Sequence, residues 1–451
     1  MAMTMVGWKA LRRRNLRKTA CRICVVLAAS AALLFSPALA WGAEAPLSRS
    51  ASEGATLYES LSVPEATHEP MLGEALQASD GNGAIAAQSS SYAPTFIINA
   101  IGNFHQTEAR KLLDLVNQAR AREGVRPLAY DTNLEDVAML RAAECQMSFS
   151  HTRPNGWDCF TAADQLGVNT GWTMGENIAA GYSNAAATNQ QWTNSAGHYR
   201  NMVNPNFTSF GVAAFEMNGW WCWVEFFGAT QGTGFNTTAL DGTYVVTTDA
   251  QVAFLPLIYE DVNPNDWYVS NDGGENFCYV INTGLMSGYG NRPAFGPYDS
   301  VTRGQVATIL WRMAGEPIVS SADFSDVNYG EFYGKAIRWA RATGVVSGYG
   351  DTNTFGPDDA VTREQLCVML ANYASRIAGL DVSSTMTKAS SMPDWGKVAS
   401  WSQEAMGWAL DEGIMSGVEV SKGYRELKPK DTAQRCQLAT MVAVFHRDIL
   451  N

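Results

Sequence analysis

The first clear pattern of apolar and polar positions begins near Phe104. Apolar residues there recur at helical spacing and predict a helix that ends before Gly124. A second helix follows, with Asp131 or Thr132 as its N-cap. These two amphipathic segments predict a helical first half for a globular domain.

Further along the chain, the apolar residues no longer recur at helical spacing. Residues 210–215 and 220–227 are typical of strands, and the Asn218-Gly219 pair between them predicts a tight hairpin turn. Helices followed by a hairpin indicate an α+β sandwich, which we place at 104–230. Residues 231–255 are rich in Thr and Gly and predict a linker, with one candidate strand at 243–247.

The N-terminus has the layout of an export signal. Seven Lys and Arg residues precede an apolar run at 25–35, and Ala38-Leu39-Ala40 fits a cleavage site. We therefore expect a signal peptide at 1–40; a retained N-terminal anchor is the alternative. The Ala-, Ser- and Gly-rich residues 41–100 predict a flexible tether, although the more apolar 92–101 is a candidate start of the first domain.

The net charge of the chain argues against some classes of binding partner. The chain has 451 residues, 32 basic and 44 acidic; without the seven basic residues of the signal, 25 remain against 44, a net charge of −19. Such a chain lacks the basic face that a nucleic-acid partner requires. After cleavage we expect neither a nucleic-acid partner nor an integral membrane protein.

Six cysteines remain after the signal, too few for a disulfide-built scaffold. Cys145 and Cys159 are close enough in sequence to pair, and the pairing among these two and Cys222 stays open. Cys367 and Cys436 lie in apolar helical patterns, which favours buried thiols.

Candidate chemistry lies between Phe149 and Met202. His151 and His198 flank Glu176 in the sequence, and Gly175-Glu176-Asn177 predicts a turn that projects its carboxylate. Two imidazoles and a carboxylate form either a zinc-type site, with zinc or another divalent metal on the histidines, or an acid/base set. The alternative is a purely structural role, in which these residues only shape a polar cleft.

From residue 256 the chain repeats itself. Gly284 to Gly290, Phe295-Gly296-Pro297 and Val301-Thr302-Arg303 recur 60 residues later, and a looser third copy ends around Gln434-Arg435. Each copy opens on an aspartate near aromatic residues. Three copies in one register predict a repeat module with a shared core, divided at 256–315, 316–380 and 381–451.

The repeats carry an arginine in an unexpected place. Thr302 and Gln305, like Thr362 and Gln365, fit the capping box that starts a helix. The arginine between them opposes the helix dipole, which makes sense where an anion binds at the free amides. Arg303, Arg363 and Arg435 are therefore candidate polysaccharide-binding residues, although a solvated arginine without a partner is the alternative.

The triplicated motifs resemble S-layer homology (SLH) domains. The resemblance covers about 256–451 and implies an all-α, three-repeat module with pseudo-threefold arrangement that binds anionic secondary cell-wall polysaccharide. Gln305 and Gln365 stand where the family usually has Glu, and Gln434 replaces the threonine of the third copy.

The first domain is similar to the CAP superfamily in its bacterial form. The resemblance rests on Asn117-x-x-Arg120, Phe149-Ser150-His151, Gly175-Glu176-Asn177-Ile178, Trp192-x-x-Ser195 and Gly197-His198. It implies an α-β-α sandwich with a cleft, where a His-Glu-Glu-His tetrad holds a divalent metal. His151, Glu176 and His198 match three members, and Ser195 takes the fourth position.

Together these observations predict a secreted protein on the wall or S-layer surface of a Gram-positive-type bacterium. Its SLH repeats would anchor it, and its CAP domain would bind an unidentified lipid, glycan or peptide in the cleft. One alternative is a metal-dependent hydrolase of wall or peptide substrates that uses His151, Glu176 and His198. Another is a structural S-layer component, which the flexible tether and the small share of repeats disfavour.

Overall fold

The computed structural model describes residues 71–72, 76–77, 93–270, 272–350 and 352–451. The described chain forms two compact units, and the second begins at Val252. The predicted signal peptide at 1–40 and most of the predicted tether at 41–100 lie outside the described residues. Within the described ranges, every helix is too short or too polar to cross a membrane.

The first unit has a mixed sheet in the order β1-β5-β7-β6-β3-β8, with β2 on β5 and β4 on β6. Its strands are β1 (Met71–Leu72), β2 (Leu76–Gln77), β3 (Thr95–His105), β4 (Ala129–Tyr130), β5 (Gly175–Ala180), β6 (Ser209–Met217), β7 (Trp220–Gly228) and β8 (Asp241–Gln251). Its helices are α1 (Gln106–Ala109), α2 (Leu112–Arg122), α3 (Thr132–Met147), α4 (Thr161–Leu166), α5 (Ala185–Thr193) and α6 (Ala196–Met202).

Helices cover both faces of this sheet. Along β7, Val224 and Phe226 pack into the core cluster that contains residues of α3 and α4. Trp223 and Phe227, on the opposite face of the strand, pack into a second cluster with residues of α2, α5 and α6. Because successive side chains of a strand point to opposite faces, the sheet is buried on both sides, and the predicted α+β class is confirmed.

The predicted elements of this unit hold with small shifts. Asp131 caps α3, and its side chain accepts a hydrogen bond from the Asn133 amide. Asn218 and Gly219 have φ angles of 53° and 81°, the left-handed backbone that a tight hairpin between β6 and β7 requires.

The edge of the sheet differs from the sequence prediction. β8 occupies 241–251, most of the second half of the segment predicted as a linker, and pairs with β3 over eleven residue pairs from Thr95↔Gln251 to His105↔Asp241. Phe96, Ile98 and Ala100 of β3 are buried, whereas β8 is largely exposed. A long strand with a solvated face has too few apolar positions for its pattern to reveal it.

The second unit contains seven α-helices among its described residues: α7 (Asp272–Asn282), α8 (Arg303–Met313), α9 (Gly334–Thr343), α10 (Arg363–Arg376), α11 (Thr387–Ser390), α12 (Gln403–Asp411) and α13 (Arg435–Val444). Strands β9 (Val418–Ser421) and β10 (Tyr424–Glu426) form a hairpin in the third repeat. The module is therefore mainly helical, but the expectation of an all-α module is not confirmed, because this hairpin replaces the Gly-Tyr-Gly loop of the other copies.

Backbone hydrogen bonds join the three repeats into a closed ring. The Val301 amide donates to the Ala433 carbonyl, the Ala433 amide to the Val361 carbonyl, and the Val361 amide to the Val301 carbonyl, over 2.8–2.9 Å. Each residue immediately precedes a helix-capping position. The ring relates the starts of α8, α10 and α13 in a cyclic manner, as a pseudo-threefold arrangement requires.

The aspartate that opens each repeat has the same task in all three copies. Asp261 accepts from the amides of Phe295 and Gly296, and Asp326 accepts from those of Phe355 and Gly356. Asp394 accepts in the same way from the amides of residues 427 and 428. The carboxylates pin the loops that precede α8, α10 and α13, so the loops are held by charge-assisted bonds.

Candidate functional site

Glu176 lies in the middle of the first unit, on strand β5. The sequence predicted a turn at Gly175-Glu176-Asn177, and this is wrong: all three residues belong to a strand that is buried along its whole length. The strand pairs with β7 on one side and with the short β1 and β2 on the other. The carboxylate therefore does not project into solvent and must be satisfied inside the protein.

Arg141 of α3 donates two hydrogen bonds to the Glu176 carboxylate. Its Nε donates to Glu176 Oε2 over 2.9 Å, and its Nη2 lies 3.3 Å from Oε1. His151 Nδ1 lies 2.6 Å from the same Oε1. Arg141 and Glu176 are fully buried, whereas the His151 side chain is 14% exposed. The imidazole is thus the part of this cluster that is accessible to solvent.

A second buried carboxylate extends the network. Arg141 Nη1 donates to Glu144 Oε2 over 2.7 Å, and Arg153 Nη2 donates to Glu144 Oε1 over 2.8 Å. Thr248 of β8 donates to Glu144 Oε1 as well, over 2.6 Å. Two arginines and two glutamates alternate, so the network balances its charges without solvent.

His198 and Ser195 form a separate pair. His198 lies within α6, and its Nδ1 is 2.8 Å from Ser195 Oγ. Asn177 connects this helix to the sheet, because its Nδ2 lies 3.2 Å from the His198 carbonyl and 2.9 Å from Glu225 Oε2. Asn201 Nδ2 in turn donates to Asn177 Oδ1 over 2.9 Å.

The two buried glutamates of the central strands ionise differently. Burial alone would raise the pKa of Glu176, but the charge of Arg141 and the hydrogen bonds from His151 and Arg141 outweigh it and lower the pKa to about 2. Burial raises the pKa of Glu225 to about 8, and the hydrogen bond from Asn177 only partly offsets this. Glu176 is therefore ionised at neutral pH, and Glu225 is mainly protonated.

The residues fit a divalent metal poorly. Among the described residues, one group of ligand atoms lies within 4.8 Å, those of His151, Cys159 and Glu176, and this group does not include His198. Both Glu176 oxygens already accept from Arg141, whose charge opposes a cation. Burial raises the pKa of the Cys159 thiol well above its usual range, which disfavours the thiolate that binds metals.

All six described cysteines are free and buried. Cys145, Cys159 and Cys222 belong to one core cluster of the first unit. Burial raises the pKa of Cys145 to about 12, so this thiol is protonated and inert at neutral pH. The buried thiols predicted at Cys367 and Cys436 agree with the structure.

The repeat arginines are buried and have partners. Arg303, Arg363 and Arg435 are 7%, 5% and 3% exposed. The Nε of each donates to a carbonyl of the next repeat around the ring, at Phe355, Leu427 and Phe295. The alternative of a solvated arginine without a partner is therefore wrong.

Sequence reasoning missed Arg141, Glu144 and Glu225. A signal was present for the first two, since Arg141 and Glu144 stand three apart in an otherwise apolar stretch of α3 and a charged pair there must be buried. Glu225 gave no such signal, because a lone Glu in an aromatic strand equally fits a solvated position.

Comparison with known proteins matches one segment of each unit to a family. Residues 113–225 match the model of the Cysteine-rich secretory protein family (CAP), and residues 323–367 and 391–421 match that of the S-layer homology domain. The chain therefore contains a CAP domain followed by SLH repeats. The family matches agree with both resemblances found in the sequence.

Two curated relatives and one solved structure illustrate the likeness. The chain is 32% identical to the protein YkwD of Bacillus subtilis over 25% of its own length and 44% of that protein. It is 25% identical to an amylopullulanase of Thermoanaerobacterium thermosulfurigenes over 33% of its own length and 8% of that enzyme. An extracellular protein with an SCP domain from Bacillus anthracis is 28% identical, over 28% of this chain and 41% of that one, with a TM-score of 0.25. The chain spans less than half the length of each.

Proposed function

We propose that this protein is exported and held non-covalently on a Gram-positive-type cell wall by its SLH repeats. The repeats bind the anionic secondary polysaccharide of the wall. The CAP domain is displayed outside the membrane and binds a lipid, glycan or peptide ligand without hydrolysing it. The separate positions of the two family matches along the chain support separate roles for the CAP domain and the repeats.

The low pKa of Glu176 and its hydrogen bonds are the observation that favours binding over hydrolysis. A general base works best when its pKa lies near the ambient pH. The pKa of Glu176 is lowered to about 2, against the effect of its burial, mainly by Arg141 and His151. Its oxygens are already occupied by Arg141 and His151. A carboxylate so well satisfied is a weak base, and Ser195 supplies no second carboxylate.

The loop that carries His151 is suited to ligand contact. Trp157 lies on the same loop with 48% of its surface exposed, and the Arg153 amide donates to the Trp157 carbonyl over 2.8 Å. Arg153 itself is fixed by Glu144, so the loop is anchored to the buried network. An exposed indole on the same loop as an imidazole offers a packing surface to a sugar ring or an acyl chain and one polar contact.

The distinction from a metal-dependent hydrolase is testable on the full chain. We expect purified protein to release no product from wall or peptide substrates with or without added zinc, and its ligand retention to be unchanged by a chelator. Trp157→Ala should weaken retention of lipid, or of wall glycan from which the secondary polysaccharide has been extracted, whereas Trp401→Ala, an exposed tryptophan of the second unit, should not. Zinc-dependent turnover that is lost in both His151→Ala and His198→Ala would make the protein a hydrolase instead.

The anchor is tested by co-sedimentation with purified walls before and after extraction of the secondary polysaccharide. Binding to intact walls and its loss after extraction are expected. Equal sedimentation with both preparations would overturn the proposed anchoring.

A further inference from the structure

We infer that the first unit has a second binding site, which takes a neutral saccharide. The site lies at one end of the sheet, between the loop that leads into β5 and the segment that follows β7. It shares no residue with the cluster of His151, Glu176 and Arg141. The inference therefore goes beyond the proposed function and does not depend on anchoring by the repeats.

A surface pocket with a volume of about 560 Å³ lies at this position. Its lining residues are all uncharged: Asn169, Gly171, Thr208, Ala229, Thr230 and Gln231. The volume falls within the range of sites that hold small molecules, roughly 300–1,000 Å³. An ionised ligand would lose hydration there without meeting an opposite charge, which costs free energy. The pocket therefore favours a neutral, polar ligand.

The loop wall of the pocket is held against the end of β7. The Ala229 amide donates to the Thr170 carbonyl over 2.7 Å, and the Gly171 amide donates to Asn169 Oδ1 over 3.0 Å. Gly171 has a φ angle of 82°, and a Cβ at this position would lie 2.5 Å from the Ala229 carbonyl oxygen. Only glycine allows this close approach, so the wall is preformed.

The opposite wall is fixed by threonine hydroxyls. Thr208 Oγ1 donates to the Thr230 carbonyl over 2.6 Å, and Thr230 Oγ1 donates to the buried Asp131 carboxylate over 2.6 Å. The Thr230 amide donates to Ser209 Oγ over 3.1 Å. Each threonine hydroxyl keeps a lone pair that can accept a hydrogen bond from a ligand hydroxyl.

Two side-chain amides of the lining are available to a ligand. Asn169 uses its Oδ1 within the loop, whereas its Nδ2 has no hydrogen-bond partner in the part of the chain that the structure describes. The Gln231 side chain is exposed and likewise has no partner among the described residues. Amides both donate and accept hydrogen bonds, as sugar hydroxyls do. They therefore complement the polar rim of a sugar ring.

Trp172 gives the site an aromatic surface. It follows the lining residue Gly171 directly, so its backbone lies at the rim of the pocket, and 56% of its surface is exposed. A sugar ring has an apolar face of C–H groups and a rim of hydroxyl groups. An indole packs on the first, and neutral amides and hydroxyls bind the second. This combination favours a saccharide over an ion.

Isothermal titration of the full chain with neutral oligosaccharides tests the inference. Two probes, a tetrasaccharide of N-acetylglucosamine and one of glucose, show whether acetamido groups contribute. We expect saturable binding of at least one probe, and its affinity should not change with salt, because no charge lines the pocket. Trp172→Ala should weaken this binding about tenfold or more, whereas Trp401→Ala, an exposed tryptophan of the second unit, should not change it.

Three further variants examine the polar contacts and the loop. Gln231→Ala should weaken binding several-fold, since it removes one hydrogen-bonding amide from the pocket. Gly171→Ala should weaken it as well, because the added Cβ displaces the loop. Gly167→Ala is the matched control: its φ angle is 67°, also left-handed, but an added Cβ meets no atom within 4 Å. Its affinity should stay at the wild-type value.

Circular dichroism checks that each variant is folded. Gln231→Ala decides the question where Trp172→Ala does not fold, since the glutamine side chain has no hydrogen bond to lose within the described residues. Wild-type affinity in folded Trp172→Ala or in Gln231→Ala would overturn the inference. Equal losses in Gly171→Ala and Gly167→Ala would also overturn it.

The remaining outcomes separate this site from the proposed function. Loss of sugar binding in Trp157→Ala, with wild-type affinity in Trp172→Ala, would assign the saccharide to the loop of His151 and overturn the inference alone. Failure of the wild-type chain to bind either neutral probe would do the same. Failure to sediment with intact walls would overturn the proposed anchoring and leave this site unaffected.

Discussion

Glu176 and Glu225 are both fully buried on neighbouring strands of the first unit, yet their carboxyl groups ionise about six pH units apart. The main cause is the charge of Arg141, to which His151 adds a hydrogen bond. Arg141 reaches Glu176 from α3, whereas Glu225 has only the Asn177 amide, and its Oε1 has no hydrogen-bond partner among the described residues. Burial favours the neutral acid unless an opposite charge is in contact.

This contrast predicts a pH-dependent cost of Glu225. Its pKa is raised in the folded state from 4.5 to about 8. Between these values the unfolded chain has released the proton that the folded chain keeps, so the group lowers stability as pH rises, by at most about 1.4 kcal/mol per pH unit. Below about pH 4.5 and above about pH 8 its contribution is constant.

Glu225→Gln removes this titration and keeps an acceptor for Asn177. The melting temperature of the variant relative to wild type should therefore increase from pH 5 to pH 8 and then level off. Calorimetry of both proteins across that range measures it. A difference that stays constant over the range would show that Glu225 does not titrate as described.

For individual residues of the site, the sequence predicted some of the side-chain contacts and not others. Glu176 and His151 were expected in one site, and their side chains are indeed adjacent. His198 was expected with them, but it pairs with Ser195 in α6. Arg141 could not be predicted as the partner of Glu176, because residues 35 apart meet only through the packing of α3 on the sheet.

Among the elements, the helices that begin at a capping residue were the most predictable. Thr302 and Thr362 cap α8 and α10, and Gln305 and Gln365 return the hydrogen bond to each cap, as the four-residue motif indicates. Strands were predictable where a turn fixed them, as in β6 and β7. β5 was predicted as a turn because Gly, Glu and Asn are common in turns. It is a strand because its backbone pairs with β7, about 50 residues away, and such pairing leaves no local signal.

The caps make a quantitative prediction for the second unit. Thr362→Ala removes the acceptor for the Gln365 amide and should destabilise the unit by about 1 kcal/mol. Thr283→Ala is the matched control, since this hydroxyl only donates back to the carbonyls of Tyr279 and Val280. Its loss should cost less than about 0.5 kcal/mol. Urea unfolding followed in the second unit compares the two. Equal losses would mean that the cap contributes nothing specific.

The molecule consists of two units, and the sequence predicted each of them from a different kind of pattern. The second unit repeats its motif, so three weak signals in one register predicted the module, and the ring formed by Val301, Val361 and Ala433 explains why the repeats occur together. The first unit has no repeat. Its sheet is completed by β3 and β8, segments predicted as tether and linker, because their pairing joins residues about 150 apart and has no local signal.

The central claim is that the repeats hold this chain on an anionic wall polymer. Isothermal titration of the full chain with purified secondary wall polysaccharide tests it most directly, with the same polymer freed of its anionic groups as the control. We expect saturable binding that weakens as salt is raised and disappears with the treated polymer. Equal binding of both polymers, or binding of neither, would contradict it.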